Sequence, residues 1–115
     1  ITEETIFRDP NAVKVVVGLD NRALYFSRSP VPHRRDGGFG SALLHIGIYC
    51  FRRDFLARFA SLAPTPLEKT EKLEQLRMLE HGYRIGVSVT DHAAIGVDTE
   101  ADLEAVRRIC RERGL

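Results

Sequence analysis

The chain has 115 residues, a net charge of +1 and 43% hydrophobic side chains, which is the size and composition of one soluble globular domain. The near-neutral charge argues against a protein built mainly to neutralise nucleic-acid phosphates, and no apolar run approaches the ~20 residues of a membrane span. We expect Cys50 and Cys110, which lack the spacing of a metal pair, to be buried thiols. The chain begins at Ile1 within a polar lead-in, and we interpret this start as a cut.

A β-hairpin is predicted after that lead-in. Residues 13–17 form a β-branched run that Lys14 interrupts, and residues 23–27 form a second short strand. The Gly, Asp and Asn within residues 18–21 favour a tight connection between the two strands. Arg28 follows the second strand directly, where it could pair with a carboxylate or a phosphate or could be an ordinary surface arginine.

Residues 43–51 are almost continuously apolar, which predicts a strand buried on both faces. Alternate residues of a strand share a face, so His45, Gly47 and Tyr49 would line up. Gly47 between the two rings leaves room for a ligand to approach the backbone. The alternative is that His45 is a core histidine hydrogen-bonded to the backbone.

Two helices are predicted next, and the first covers residues 52–62. Its amphipathic pattern places Phe55, Leu56 and Phe59 toward the interior.

The second helix is predicted to run over residues 65–81. Thr65 is a favourable N-cap, Pro66 suits the first helical position, and Glu68 completes a capping box. One apolar stripe is formed by Leu73, Leu76 and Leu79, and a different face is shared by Glu71, Glu74, Gln75 and Met78. The helix can therefore bury its leucines while presenting two carboxylates and an amide, although a solvated acidic face is the simpler interpretation.

The last third is predicted to contain a strand at residues 83–89, a loop at 90–94, a short extended piece at 96–98 and a helix that ends near residue 113. Thr99 is a good N-cap for that helix. Asp98 lies where the extended piece meets the helix, the edge of an α/β sheet at which ligands commonly bind. Its carboxylate could hold Mg²⁺ beside a phosphate or could only support the helix dipole.

Five sequence blocks carry a resemblance to a known family. In chain order they are NAVKVVV, ALYFSRSPVP, HIGIYCFRRDFL, PTPLEKTEKLEQLRMLEHGYRI and GVDTEADLEAV, and the resemblance covers residues 9–106. Together they resemble the second half of the CMP-Kdo synthetase family, the 3-deoxy-manno-octulosonate (Kdo) cytidylyltransferases. Related cytidylyltransferases share the general fold but are not similar to LEQLR, ALYFSR and HIGIY together.

The resemblance implies an α/β fold of the nucleotide-diphospho-sugar-transferase type, with a mixed sheet flanked by helices. Residues 1–115 would be one partial domain, the sugar-binding and dimerisation half. The implied reaction is transfer of a cytidylyl group from CTP to the anomeric hydroxyl of Kdo, with release of pyrophosphate, for lipopolysaccharide biosynthesis. Mg²⁺ is the implied cofactor. Family members are usually cytoplasmic homodimers. From the near-neutral charge and the lack of a long apolar run, we expect neither a nucleic-acid nor a membrane partner.

The resemblance also assigns site residues by matching motifs. Asp98 of GVDT is implied as a catalytic residue and magnesium ligand. The implied sugar-side residues are Arg28 of ALYFSR, His45 and Tyr49 of HIGIY, and Glu74 and Gln75 of LEQLR. An arginine suits the carboxylate of Kdo, and the other side chains suit its hydroxyls.

Part of the family pattern is missing from this chain. In the family, the first half carries the Gly- and Arg/Lys-rich loop that holds the CTP phosphates and a second acidic metal ligand, and neither is present here. We therefore expect the isolated chain not to turn over CTP. The alternatives are a non-catalytic truncated remnant that acts as a dimerisation or binding module, and a related cytidylyltransferase for another acidic sugar.

Overall fold

The structure, a computed structural model, describes residues 1–91, 96–97 and 99–114. Its elements, in chain order, are α1 (Glu4–Arg8), β1 (Lys14–Val17), β2 (Ala23–Ser27), β3 (Leu43–Leu44), α2 (Arg53–Ser61), α3 (Pro66–Glu71), α4 (Gln75–Glu80) and α5 (Glu100–Arg113). The predicted α/β fold class is confirmed. The three strands form one sheet in the order β2-β1-β3, and each pair is antiparallel. None of the helices in the described ranges has the length and hydropathy needed to cross a membrane.

The predicted hairpin is confirmed as β1 and β2. Lys14 lies opposite Ser27 in the register. The connection is closed by a hydrogen bond from the Gly18 N–H to the Arg22 carbonyl at 2.8 Å. Asn21 adopts a left-handed φ of 57°, a conformation that asparagine tolerates better than most residues. Local turn chemistry therefore suffices to specify this part of the fold.

The core lies where the hairpin meets the two short helices α3 and α4. Val15, Phe26, Leu73 and Leu76 are buried there together with Ala23. Leu79 packs against this cluster and is half-buried. The predicted leucine stripe is thus confirmed, and burial of its side chains stabilises the packing of the helices against the sheet.

The predicted strand over residues 43–51 is wrong beyond its first two residues. Of this segment, only Leu43–Leu44 (β3) pairs with β1, and Gly47 adopts a positive φ of 81°, which interrupts an extended conformation. Ile48 is 84% exposed. The apolar sequence predicts burial, but burial requires a covering surface, and the described elements leave this segment largely uncovered.

The predicted single helix over residues 65–81 is also wrong, because it is divided into α3 and α4. Arg28 Nε donates to the Glu71 carbonyl at 2.8 Å, and its Nη2 reaches the Lys72 carbonyl at 3.5 Å. In one continuous helix these carbonyls would accept from the N–H groups of Gln75 and Leu76. Lys72 instead turns left-handed, with φ 55°, and ends α3.

Charged side chains connect the two short helices, α3 and α4. The guanidinium of Arg77 on α4 forms a two-point ion pair with Glu68 on α3, and both side chains are about 85% buried. The carboxylate of Glu80 accepts hydrogen bonds from the N–H groups of Leu67 (3.1 Å) and Glu68 (3.3 Å) in the first turn of α3. A carboxylate at this end of a helix also complements its dipole.

The remaining predictions have mixed outcomes. The helix predicted at 52–62 is confirmed as α2, but Leu56 is 51% exposed and does not face the interior. The predicted strand at 83–89 is reduced to a single bridge between Gly86 and Arg22.

Cys50 is exposed rather than buried, because it lies in the uncovered segment after β3. Most of the predicted loop, residues 92–94, lies outside the described residues.

The last helix is confirmed as α5. The N–H of Asp102 donates to the Thr99 hydroxyl at 3.2 Å, and the Thr99 N–H donates to the Asp102 carboxylate at 2.9 Å. These two bonds form the reciprocal capping box that fixes the start of the helix.

Candidate functional site

His45 and Tyr49 contact each other, although they do not belong to a strand. The Tyr49 hydroxyl lies 2.8 Å from Nε2 of His45, and the ring centroids are 5.4 Å apart. The buried ring of Phe26 on β2 packs edge-on against His45, with centroids 5.0 Å apart. The sheet therefore supplies an apolar floor beneath a pair of polar rings.

The surroundings keep this pair uncharged at neutral pH. Burial lowers the pKa of His45, because a charged imidazolium would lose hydration. Burial, together with the negative charge of Glu74, raises the pKa of Tyr49 to about 12. A neutral imidazole and a phenol offer both donors and acceptors without a net charge.

An open cavity of about 460 Å³ lies beside the pair. His45, Gly47 and Tyr49 line it together with Phe26 and residues 85–91. Its walls are mainly apolar, with the His45 and Tyr49 rings as convergent polar groups, which is the usual make-up of a small-molecule pocket. Gly47 contributes open backbone to this wall, because a β-carbon built there would meet no atom closer than 3.9 Å.

Glu74 and Gln75, although adjacent, have different surroundings. The Glu74 side chain is 68% exposed and lies 3.7 Å from the Arg77 guanidinium. Gln75 is only 7% exposed, and its buried Nε2 has no hydrogen-bond partner among the described residues. An unpartnered buried amide is costly in a folded protein, and its N–H groups could donate to a ligand hydroxyl.

Arg28 is held by backbone carbonyls. In addition to its bonds to Glu71 and Lys72, its Nη1 donates to the Pro10 carbonyl at 3.0 Å. Three of the five guanidinium N–H groups are used in this way, which leaves two for another acceptor. The described contacts therefore place Arg28 at the end of α3 and do not join it to the His45–Tyr49 pair.

A polar cluster behind Arg28 was not predicted. Its centre is Glu71, whose carboxylate accepts from the Ser27 hydroxyl (2.6 Å), the Arg28 N–H (3.0 Å) and the Tyr25 hydroxyl (3.4 Å). Lys14, which has no exposed surface, donates to the carbonyls of Asp9 and Arg28 at 2.8 and 2.7 Å. A lysine within a β-branched central strand is the sequence signal that could have revealed this cluster.

The charges of this cluster are mutually compensating. Burial alone would raise the pKa of the Glu71 carboxyl, but hydrogen bonds from Ser27, Arg28 and Tyr25 and the charge of Arg28 lower it overall. Burial lowers the pKa of Lys14 despite the opposing effects of Asp9 and Glu71. The cluster therefore joins β1, β2 and the end of α3 by satisfied, charge-assisted bonds.

The predicted metal ligand, Asp98, lies outside the described residues. Among the residues that are described, no group of three or more His, Cys, Asp or Glu side chains could hold a metal ion. The structure thus leaves the role of Asp98 as a prediction.

Comparison with known proteins extends this picture. A family model described as Cytidylyltransferase matches residues 1–85. The chain is 54% identical over 111 residues to a 3-deoxy-manno-octulosonate cytidylyltransferase of Geotalea uraniireducens, covering 87% of this chain and 44% of the relative. It is 47% identical over 108 residues to the enzyme of that name from Fusobacterium nucleatum, covering 94% and 44%.

A solved structure is also similar. It is a CMP:2-keto-3-deoxy-manno-octonic acid synthetase complexed with CTP, which superposes with a TM-score of 0.90 at 40% identity and covers 96% of this chain and 46% of that one. The chain spans about half the length of the curated relatives that it matches. Since the family model covers most of the chain, we conclude that this chain belongs to the cytidylyltransferase family.

Proposed function

We propose that this chain is the acidic-sugar side of an enzyme that transfers a cytidylyl group from CTP to Kdo, releasing pyrophosphate, in lipopolysaccharide biosynthesis. The observation that carries the proposal is the placement of His45 and Tyr49, a hydrogen-bonded neutral pair on the wall of an apolar cavity. Similarity to relatives named for this reaction supports the same substrate.

The chemistry of the proposed sugar agrees with the polar groups available. Kdo carries several hydroxyls, which the neutral His45 and Tyr49 can both donate to and accept from. The unpartnered amide of Gln75 can donate to a further hydroxyl. Arg28 has two N–H groups left for the sugar carboxylate, and its guanidinium is already oriented by the backbone. Such fixed groups lower the entropic cost of placing the anomeric hydroxyl for attack.

We further propose that Asp98 binds Mg²⁺ in the complete enzyme. Mg²⁺ prefers oxygen ligands and commonly joins one or two carboxylates to substrate phosphates. The support is the position of Asp98 directly before the capped start of α5 in the sequence. When bound, the metal would supply charge neutralisation at the phosphates.

A cytoplasmic homodimer is the proposed form of the enzyme, and residues 30–51 are proposed to contribute to its twofold interface. The support is the apolar surface of this segment, where Leu44 is 41% and Ile48 84% exposed. Sedimentation at micromolar concentration tests this part of the proposal, and a well-folded monomer would contradict it.

The function can be tested with a chimera. In the Geotalea uraniireducens relative, the segment that aligns with this chain is replaced by residues 1–115, and pyrophosphate release is measured with CTP, Mg²⁺ and Kdo. We expect turnover that depends on both substrates, whereas the isolated chain should bind Kdo without turning over CTP. A folded chimera that accepts neuraminic acid but not Kdo would instead identify another acidic-sugar cytidylyltransferase.

A further inference from the structure

Glu71 and Gln75 would be neighbours on one face of a continuous helix, but the structure separates them. The carboxylate of Glu71 faces the end of β2, where it accepts three hydrogen bonds. Gln75 begins the next helix, α4, and is buried with an unpartnered Nε2. The left-handed residue Lys72 lies between them.

Arg28 and Glu71 are joined by two reciprocal hydrogen bonds, which together form the Arg28 clasp. The Glu71 side chain accepts from the Arg28 backbone N–H, while the Arg28 side chain donates to the Glu71 backbone carbonyl. Each bond holds the geometry needed by the other, so the end of β2 and the end of α3 are fixed as one unit. Lys14 supports this unit from the neighbouring strand through its bond to the Arg28 carbonyl.

This clasp determines where α4 starts. With the carbonyls of Glu71 and Lys72 engaged by Arg28, α3 ends and the chain turns before it becomes helical again at Gln75. A free α3 end would favour continuation of the helix, which would return Gln75 to the same face as Glu71. The burial of the Gln75 amide therefore depends on contacts made by Glu71.

We infer that Glu71 is a positioning residue, which sets the orientation of the Gln75 amide through the Arg28 clasp and the turn at Lys72. The part of this inference that concerns sugar binding rests on the proposed function. Glu71 itself need not touch a substrate, because the hydrogen bonds of its carboxylate already go to Tyr25, Ser27 and Arg28.

The side-chain amide of Gln75 provides a direct readout, since it is the only glutamine of the chain. Its two ¹⁵N-coupled proton resonances can be compared in the 115-residue chain before and after Glu71→Ala. We expect them to move toward their positions in the urea-unfolded chain, while the side-chain amide of Asn21 in the β1–β2 turn stays unchanged. Glu112→Ala on the exposed side of α5 is the matched control and should move none of these resonances.

Two further measurements keep the test decisive. Ser27→Ala removes one hydrogen bond to the Glu71 carboxylate. If Glu71→Ala does not fold, the Gln75 resonances are measured in Ser27→Ala instead. Calorimetric titration with Kdo should show a dissociation constant raised about tenfold by Glu71→Ala. A lowered melting temperature with unchanged Gln75 resonances would overturn the inference. If the unmodified chain binds no Kdo, the sugar assignment fails, and the resonances alone decide whether Glu71 positions Gln75.

Discussion

The Tyr49 hydroxyl lies 2.8 Å from Nε2 of His45, in a segment without regular secondary structure. Since burial keeps the folded-state pKa of His45 below its ordinary value of 6.5, the unfolded chain binds more protons than the folded chain as the pH falls through about 6.5. The free energy of unfolding should therefore decrease from that pH down to the folded-state pKa. Urea unfolding between pH 8 and pH 5 measures this loss.

Two variants identify the group that is responsible. His45→Gln should remove this part of the pH dependence. Tyr49→Phe should retain it, because burial rather than the hydrogen bond lowers the pKa of His45, and should cost at most about 1 kcal/mol for the lost bond. An unchanged pH profile in His45→Gln would show that another group titrates.

Lys72→Gly should increase stability by up to about 1 kcal/mol, because a left-handed φ of 55° strains any residue with a β-carbon. Lys69→Gly provides the matched control within α3, where glycine should decrease stability by about 1 kcal/mol. Chemical denaturation of the two variants gives opposite signs if the helix is broken at Lys72. Equal destabilisation would indicate one continuous helix.

The sequence predicts the locally determined features of the fold well. The hairpin follows from a turn next to β-branched residues, and the start of α5 follows from Thr99 and Asp102 only three residues apart. Two further local patterns are confirmed, namely the leucine stripe and the bond at Thr65, whose N–H donates to the Glu68 carboxylate at 3.1 Å.

Features that depend on distant contacts could not be predicted. At the break, the Lys72 carbonyl accepts a hydrogen bond from Arg28, which is 44 residues away in sequence. Periodicity alone therefore groups Glu71 with Glu74 and Gln75, although Glu71 belongs to a different cluster. The segment after β3 illustrates the same limit, because an apolar composition does not specify which surface covers it.

For the candidate site, motif matching identified candidate residues but did not predict their burial or their hydrogen-bond partners. His45 and Tyr49 do contact each other, and Glu74 is near enough to influence Tyr49 electrostatically. The buried state of Gln75 was not predictable, since it follows from the turn between α3 and α4. The roles of these residues in sugar binding stay predictions.

Arg77→Gln should decrease stability by more than the loss of an exposed ion pair does, because the Arg77–Glu68 pair has little solvent-exposed surface. The variant also loses the contact of the guanidinium with the Phe59 ring, whose centroid is 5.3 Å away. Arg8→Gln is the matched control, since it breaks the exposed ion pair with Glu4 and should cost at most about 0.5 kcal/mol. Urea unfolding at pH 7 compares the two.

The same ion pair predicts a response to acid. Hydrogen bonds from Arg77 lower the folded-state pKa of Glu68 below its ordinary value of 4.5. This contribution to stability is therefore complete above about pH 4.5 and is lost as the pH falls through the folded-state pKa. Stability that declines equally in Arg77→Gln and in the unmodified chain would contradict this assignment.

Asp98→Asn separates a metal ligand from a residue that only supports α5. In the chimera described above, loss of a magnesium ligand should reduce turnover a hundredfold or more, on the order of several kcal/mol of transition-state stabilisation, with an unchanged thermal melt. A role at the helix dipole should instead cost at most about 1 kcal/mol of stability and leave activity near normal. Assays over a magnesium titration distinguish these outcomes.

The burial of Lys14 gives the chain an internal chemical reporter. Of its three lysines, Lys69 and Lys72 are exposed, whereas the amine of Lys14 is enclosed and bonded to two carbonyls. An acylating reagent should therefore modify two lysine side chains, as well as the N-terminal amine, at once and the Lys14 side chain only when the strands separate. The rate of the Lys14 modification, followed by mass spectrometry, would measure how often the core opens under native conditions.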